Sequence, residues 1–311
     1  MQQATASAWT LLSAPHMLRN GLAILLVSTL SALTASAQSR SPSAEFRTAG
    51  AFYGNYFQVP DSGVRKDVWG AVTEIGFEDP VADSDRTRSY ARIELLQLRE
   101  IGTSPAVLFG VKRRGRTHRF DVYATMQWNR PRSDVGDELE RADQLGGGAE
   151  YTLRVAGFQM TGEGEYREEF LKPQRVTTSR TYEAGGSFGY RAFRGRVVPE
   201  VGLLRGRRMT GIARTEYVRD TSYVGLRMTA VPRLSIGVRY RRRLRDYTIQ
   251  DVNSKNFGRE DRRDQIRASV DIATDGPLIW NCFGAVEEGR STRPGRAFVA
   301  KSFGMGFTLR Y

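Results

Sequence analysis

Arginines at alternate positions are the residues of this chain best suited to bind a ligand. Arg239, Arg241 and Arg243 occupy every second position of one stretch, and Arg227 and Arg267 lie in nearby stretches with the same alternation. A guanidinium presents five N–H donors in one plane, a geometry that matches carboxylate and phosphate oxygens. These five arginines are therefore candidates for steering or binding small anions.

Asp121, Glu163 and Glu165 form an acidic counterpart earlier in the chain. Each lies on the polar side of an alternating stretch. If these stretches are strands of one closed sheet, an acidic arc and a basic arc would share its interior. Opposed arcs would orient dipolar solutes and focus ions in a pore, whereas salt bridges between the arcs would plug a structural barrel. The sequence leaves both alternatives open.

His118 and Cys282 are the only histidine and cysteine beyond the first 37 residues. Arg116 and Arg119 flank the histidine, and their charges disfavour an imidazolium that would act in acid–base catalysis. A transition-metal site needs more His or Cys ligands than this part of the chain provides. The acidic clusters lack the Asp-x-Asp-x-Asp-Gly spacing of a calcium loop. We therefore predict no catalytic residue, no metal site and no cofactor, and we interpret His118 as a solvated turn residue.

The stretches that carry the charged residues alternate with a period of two. From Phe120 to Trp128 every second residue is apolar, and the residues between them run from Asp121 to Gln127. Successive side chains of a strand point to opposite faces, so each stretch has one apolar and one polar face. The same split recurs in 144–155, 234–241 and 265–272.

A soluble β-sandwich would alternate in the same way, but three features favour a membrane barrel. Many stretches reach about 10 residues, the length of a tilted transmembrane strand, whereas strands of globular proteins average about 5–6 residues. Their polar faces carry Arg, Glu and Gln in mid-strand, as a wet interior would. Short turns also alternate with longer charged loops. Cys282 shares the apolar face of Trp280 and is predicted to meet lipid.

The pattern predicts an all-β fold, a single antiparallel transmembrane β-barrel of about fourteen strands. An even number of strands places both chain ends on the periplasmic side. Twelve or sixteen strands would also fit, because the first three strands and residues 207–220 alternate weakly. The connection 246–263, with Lys255, Arg259, Arg262 and Arg263, is predicted to be the longest. The predicted strands are 46–57, 67–77, 88–98, 105–113, 117–128, 143–155, 157–168, 180–191, 197–206, 221–230, 234–245, 264–273, 277–287 and 297–311.

Residues 1–37 have the pattern of a secretory signal peptide, and residues 38–311 form the predicted barrel. Arg19 precedes an apolar run, and an Ala-x-Ala exit ends at Ala35 and Ala37; Met17 would also serve as a start. Removing Arg19 with this leader leaves 46 of the 47 basic residues against all 34 acidic ones, a net charge of +12. Export makes nucleic acid an improbable partner for this charge, and the anionic groups met outside the inner membrane are lipids, lipopolysaccharide and small solutes.

The last residues, from Phe303 through Phe307 to Tyr311, alternate apolar side chains with small or polar ones and stop on an aromatic. This segment resembles the C-terminal targeting strand of Gram-negative outer-membrane β-barrel proteins of the porin-like class, although those strands more often end in Phe. The resemblance covers about ten residues. It implies insertion into the bacterial outer membrane by the barrel assembly machinery, with lipopolysaccharide and other outer-membrane lipids as partners.

These observations predict a passive diffusion channel for small, preferentially anionic or zwitterionic solutes, and no enzyme. The alternative is a structural or adhesion barrel whose lumen is closed by salt bridges. A lipid-modifying enzyme centred on His118 is a third and weaker hypothesis. The solute and the oligomeric state do not follow from the sequence.

Overall fold

A computed structural model describes residues 43–54, 67–81, 84–99, 101–132, 140–171, 176–210, 216–249, 251–254 and 256–311. The predicted leader, with its cleavage residues Ala35 and Ala37, lies outside these described residues. Within them the chain forms fourteen antiparallel strands. The strands are β1 (Ser43–Gly54), β2 (Val68–Val81), β3 (Ser84–Leu98), β4 (Gly102–Arg114), β5 (His118–Arg132), β6 (Glu140–Val155), β7 (Phe158–Leu171), β8 (Val176–Tyr190), β9 (Val197–Thr210), β10 (Tyr217–Val231), β11 (Leu234–Tyr247), β12 (Glu260–Ala273), β13 (Leu278–Ser291) and β14 (Phe298–Arg310).

The first and last strands pair with each other, so the sheet closes into a barrel. All the remaining pairs join strands that are consecutive in the sequence. The β1–β14 seam runs antiparallel with Glu45 opposite Arg310. Beyond that pair, the Ala44 N–H donates to the Tyr311 carbonyl at 3.0 Å, and the Tyr311 N–H donates to the Ala44 carbonyl at 2.9 Å. Closure leaves no edge strand with unpaired backbone groups, as a sheet in hydrocarbon requires.

Side chains alternate between the outer and inner faces of every strand. Phe303 on β14 and Tyr311 just beyond that strand lie on the outer face and are more than half exposed. Aromatic side chains collect on this face toward both ends of the barrel. The Trp69 and Phe303 rings meet edge-on with centroids 6.0 Å apart, and those of Trp280 and Phe307 do so at 5.9 Å. Such rings suit the boundary between hydrocarbon and headgroups.

Short turns lie at the end of the barrel that carries Ser43 and Tyr311. The β6–β7 turn consists of Ala156 and Gly157 alone, with φ of 49° and 87°. Positive φ at both positions is the requirement of the tight hairpin turn whose twist matches the strands. Following the pattern of outer-membrane barrels, we call this the periplasmic end and the opposite end the extracellular end.

The predicted all-β class, the single antiparallel barrel and the count of fourteen strands are confirmed. The predicted short turns also join the expected strands. Helical residues in the described ranges form one short turn, Phe193–Gly195, and none of the helices there is long and apolar enough to cross a membrane.

Several strands are longer than predicted at their extracellular ends. β9 continues to Thr210 and β10 begins at Tyr217, although the prediction ends at residue 206 and resumes at 221. Arg205 and Arg207 point outward there, so both faces of the strand end are polar. The apolar alternation therefore stops before the hydrogen-bonded ladder does.

A β-bulge carries β5 beyond its predicted end at Trp128. The register with β6 shifts between Gln127 and Arg130. Asn129 adopts a φ of 54°, and its N–H donates to a carboxylate oxygen of Asp143 at 3.0 Å. The Asn-Arg-Pro segment thus shifts the alternation by one residue without ending the strand.

The connection predicted at 246–263 is shorter than expected and is not the longest. The strand bounds leave only 248–259 between β11 and β12, and the β1–β2 connection exceeds it by one residue. Arg262 and Arg263 lie on β12 because the alternation resumes earlier than the charged composition suggested. Arg259 stays in the connection, and Lys255 lies outside the described residues.

Substitution of Gly306 tests the closure of the barrel between β1 and β14. A Cβ at this position on β14 would overlap the backbone oxygen of Thr48 on β1, whereas a Cβ at Gly284 on β13 meets nothing within 4 Å. We expect Gly306→Ala to destabilise the seam by about 1–3 kcal/mol, the cost of forced overpacking, and Gly284→Ala to leave it unchanged. Urea unfolding followed by heat-modifiable gel migration measures both variants. Equal stability of the two variants would contradict the seam.

Candidate pore lining

A cavity of about 740 Å³ lies inside the barrel, lined by side chains from β5 to β12. Nine arginines and five glutamates contribute to this lining, so its charge is positive. A second cavity of about 410 Å³ adjoins the inner faces of β1–β3 and β12–β14, and a third of about 450 Å³ adjoins those of β7–β12. The described interior is therefore polar and contains room for water and small solutes.

The arginines of the interior are concentrated on three neighbouring strands. β11 supplies four of them at alternate positions, and its neighbours β10 and β12 supply three more. Three pairs of arginines are direct cross-strand partners: Arg219 with Arg245, Arg239 with Arg267, and Arg243 with Arg263. We call this set the basic arc; it comprises Arg219, Arg239, Arg241, Arg243, Arg245, Arg263 and Arg267.

An acidic arc occupies the inner face of β5–β8. Asp121 is the cross-strand partner of Glu150, and Glu150 is in turn the partner of Glu163. One step further along, Glu165 lies opposite Glu183. Like charges that face each other directly destabilise a sheet. Both arcs therefore cost stability, which favours a functional origin for the segregation of charge.

Ion pairs between the basic arc and carboxylates two strands away run along the wall. Arg219 on β10 pairs with Glu183 on β8, and Arg239 on β11 pairs with Glu200 on β9 at 3.2 Å. Each pair skips one strand, a reach that suits the long arginine side chain. Within the described part of the chain, ion-paired residues lie on the same strand, on adjacent strands or on strands two apart, apart from one pair that joins two turns and one that joins Arg259 of the β11–β12 connection to Asp261.

Arg241 and Arg243 differ from Arg219, Arg239 and Arg263 because neither forms an ion pair with a described residue. Both line the main cavity. Arg241 donates a hydrogen bond to the side-chain oxygen of Gln265. Arg243 forms no hydrogen bond within the described residues, and its nearest charges include that of Arg241. These two guanidiniums are available to an anion in the cavity.

The structure brings together four more of the predicted lining residues at the same interior. Arg239 and Glu163 line the main cavity, and Arg267 and Arg227 line the 450 Å³ cavity. The Arg267 guanidinium also lies 4.7 Å from the centre of the Phe283 ring. Its charge is therefore held near the wall by a cation–π contact.

The remaining acidic candidates are held by neighbours on the wall. Asp121 accepts hydrogen bonds from the Tyr90 hydroxyl at 2.6 Å and from Arg119 at 2.9 Å. Glu165 pairs with Arg167 through both carboxylate oxygens. These two carboxylates are therefore partly neutralised, whereas Glu163 has no such partner among the described residues.

His118 lies far from the basic arc. It begins β5 at the periplasmic end, is exposed, and forms no side-chain hydrogen bond with a described residue. Cys282 is exposed on the outer face of β13. Neither residue contacts the charged interior. Clusters of His, Cys, Asp and Glu that could hold a metal ion are absent from the described residues.

Several lining residues escaped the sequence prediction. Arg219, Arg245 and Arg263 fell outside the predicted candidates because they lie near strand ends where both faces are polar. Tyr223 was also missed; the Arg239 guanidinium lies 4.8 Å from its ring centre. Extending the alternation of β11 by one step would have found Arg245, but the ring contact depends on the register between β10 and β11.

Comparison with known proteins identifies no matching family model and no curated protein with a similar sequence. Among solved structures, similarity is found to an OmpT loop-deletion mutant, an outer membrane protein of Vibrio cholerae, with 9% identity, a TM-score of 0.49, and coverage of 87% of this chain and 98% of that one. The outer membrane channel DcaP of Acinetobacter baumannii has 10% identity, a TM-score of 0.47, and coverage of 86% and 96%. An anion-selective porin from Comamonas acidovorans has 7% identity, a TM-score of 0.47, and coverage of 87% and 99%.

The closed barrel of fourteen strands, its exposed apolar outer face and its charged interior decide the fold class. The chain has the fold of an outer-membrane β-barrel. In such a barrel the polar side chains face the lumen. The basic and acidic arcs therefore line that lumen.

Glu183 tests the wall ion pairs. Its side chain and that of Arg219 are each 15% exposed. Glu183→Gln should lower the free energy of unfolding by about 1.5–3 kcal/mol, because it leaves a largely buried guanidinium without its charged acceptor. The matched control is Glu288→Gln, whose carboxylate pairs with Arg290 at an exposed position. That change should cost less than about 1 kcal/mol.

Urea unfolding of both variants in detergent micelles, followed by tryptophan fluorescence, compares the two costs. A Glu183→Gln variant as stable as the Glu288→Gln variant would show that the inner pair contributes no more than an exposed one.

Proposed function

We propose that this protein is a passive diffusion channel of the outer membrane for small anionic or zwitterionic solutes. The observation that carries the proposal is the pair Arg241 and Arg243, which line a polar cavity and form no ion pair with a described carboxylate. In water-filled surroundings each guanidinium attracts an anion a few ångström away by on the order of 1 kcal/mol. That attraction concentrates anions without holding them, as conduction requires.

The acidic arc extends the proposal to zwitterions. Glu150 and Glu163 line the same cavity as Arg241 and Arg243. A solute with one carboxylate and one ammonium group would orient between the two arcs, because each of its charges has a partner of opposite sign. A solute with a single charge gains from one arc only.

Biogenesis is part of the same proposal. Phe303, Phe307 and Tyr311 lie on the outer face of the closing strand, where the barrel assembly machinery would read them as a targeting signal. Lipopolysaccharide and phospholipids would cover the apolar outer face. No step requires a cofactor, and a His118→Ala variant with unchanged lipid hydrolysis would dismiss the enzyme alternative.

Arg241 and Arg243 give the decisive test of anion preference. In planar bilayers we expect stable single-channel steps and a reversal potential that indicates anion selectivity in a salt gradient. The double variant Arg241→Gln, Arg243→Gln should lower the anion-to-cation permeability ratio several-fold, since each lost charge removes on the order of 1 kcal/mol of attraction.

Arg242 provides the matched control. It lies between the two test residues on β11 but points outward and pairs with Asp264 at 2.9 Å. Arg242→Gln removes one positive charge from the outer face of the same strand and should leave the reversal potential unchanged. Cation selectivity of the unmodified protein would contradict the proposal, and a lack of conductance steps would favour the plugged structural barrel.

A further inference from the structure

The periplasmic end of the barrel carries a concentration of positive charge that the lumen-centred function does not use. Four successive periplasmic hairpins, covering residues 113–119, 154–159, 190–198 and 227–235, contain ten arginines and no Asp or Glu. The arginines are Arg113, Arg114, Arg116, Arg119, Arg154, Arg191, Arg194, Arg196, Arg227 and Arg233.

Five of these arginines lie along part of the inner rim of the periplasmic mouth, from β4 to β10. We call this set the collar; it comprises Arg114, Arg119, Arg154, Arg191 and Arg227. Arg114 and Arg119 are direct cross-strand partners on β4 and β5. Arg154 on β6 follows. The charges that act most strongly on its guanidinium are those of Arg191, Arg119, Arg114 and Arg227, all of the same sign. The collar thus places four guanidiniums within electrostatic reach of Arg154.

Backbone hydrogen bonds hold the collar hairpins side by side. The Arg154 N–H donates to the Thr117 carbonyl of the preceding hairpin at 2.6 Å. The Arg191 N–H donates to the Gly157 carbonyl at 2.8 Å. The collar is therefore built on paired backbone, and its charges are fixed in sequence around the rim.

Few carboxylates neutralise the collar. Arg119 pairs with Asp121, but Arg114, Arg154, Arg191 and Arg227 form no ion pair with a described carboxylate. Arg154 donates instead to the side-chain oxygen of Gln159 at 3.2 Å. Like charges held together without counter-charges repel, and an anion that bridges them would relieve that repulsion.

The spacing of the collar indicates the shape of such an anion. From β4 to β10 the wall advances by six strand intervals of about 4.8 Å, so the collar follows an arc of roughly 29 Å. A compact anion would touch two or three guanidiniums, whereas an extended one with regularly spaced charges would follow the whole arc. Guanidinium pairs best with phosphate oxygens through two parallel hydrogen bonds.

We propose that the collar is a binding site for linear condensed phosphate, which enters from the periplasmic side and blocks the mouth of the barrel. The site is separate from the Arg241 and Arg243 pair in the main cavity. It binds whether or not the barrel conducts, so its test does not depend on the channel proposal.

Isothermal titration calorimetry of the detergent-solubilised protein measures phosphate binding directly. The probes are orthophosphate, tripolyphosphate and a polyphosphate of about ten units, a length that matches the arc of roughly 29 Å. We expect affinity to rise with chain length. Equal affinity for all three probes would overturn the proposal, and so would equally tight binding of poly-glutamate, which would assign the site to an acidic polypeptide.

Two triple variants separate the collar from general charge. Arg114→Gln, Arg154→Gln, Arg191→Gln removes three collar charges, and should weaken polyphosphate binding by at least about tenfold. Arg205→Gln, Arg207→Gln, Arg242→Gln removes the same charge from the outer face and should bind as the unmodified protein does. Heat-modifiable gel migration verifies that both variants fold. Equal losses of polyphosphate affinity in the two variants would show that binding is non-specific electrostatic attraction and would overturn the proposal.

Planar-bilayer recordings determine from which end of the barrel polyphosphate enters. If the barrel conducts, polyphosphate added at the periplasmic end should block the current at concentrations that have no effect from the extracellular end. A protein that binds polyphosphate but does not conduct would refute the channel proposal and leave the proposed polyphosphate site at the collar intact. A conducting protein that is blocked equally from both ends, or from neither, would refute the collar as the blocking site.

Discussion

The pairing of β1 with β14 is the constraint on which the rest of this structure depends. Hydrocarbon offers no partner for a free N–H or carbonyl, so a sheet survives there only when its two edges meet. The Ala44–Tyr311 hydrogen bonds and the glycine at 306, where a side chain would overlap Thr48, show how closely the two strands approach. Closure also fixes which side of each strand is inside. Every statement about the lumen follows from that seam.

Closure alone does not explain the distribution of charge inside. A stable interior would place opposite charges across each strand pair, yet Arg243 faces Arg263, and Glu150 faces Glu163. The wall partly compensates with pairs two strands apart, such as Arg219 and Glu183. Those pairs neutralise charge along the wall and leave the cavity open, which is the arrangement expected if the charges act on solutes.

Much of this architecture could be predicted because the alternation between an apolar outer face and a polar inner face constrains each residue separately. The period of two assigned Arg239, Arg241 and Arg243 to one face, and the structure places all three at the main cavity. Contacts between strands could not be predicted in this way. The pairing of Arg239 with Glu200 depends on register, and the bulge at Asn129 shifts the alternation through a single backbone conformation. Strand ends with two polar faces, as at Arg205 and Arg207, carry no apolar signal at all.

Positive charge therefore occurs in two zones along the barrel axis, and the two differ in how they are built. In the basic arc, Arg219, Arg239 and Arg263 form ion pairs with carboxylates of nearby strands, whereas Arg241 and Arg243 form none with a described residue. In the collar, four of five guanidiniums form no ion pair with a described carboxylate, and they lie at or near the hairpin turns rather than in mid-strand. Weak, partly compensated attraction suits a solute that must leave again, whereas uncompensated charge on a fixed rim suits a ligand that stays. One barrel can thus carry a passage and a separate anion site, because the two zones use different inner-face positions of the same strands.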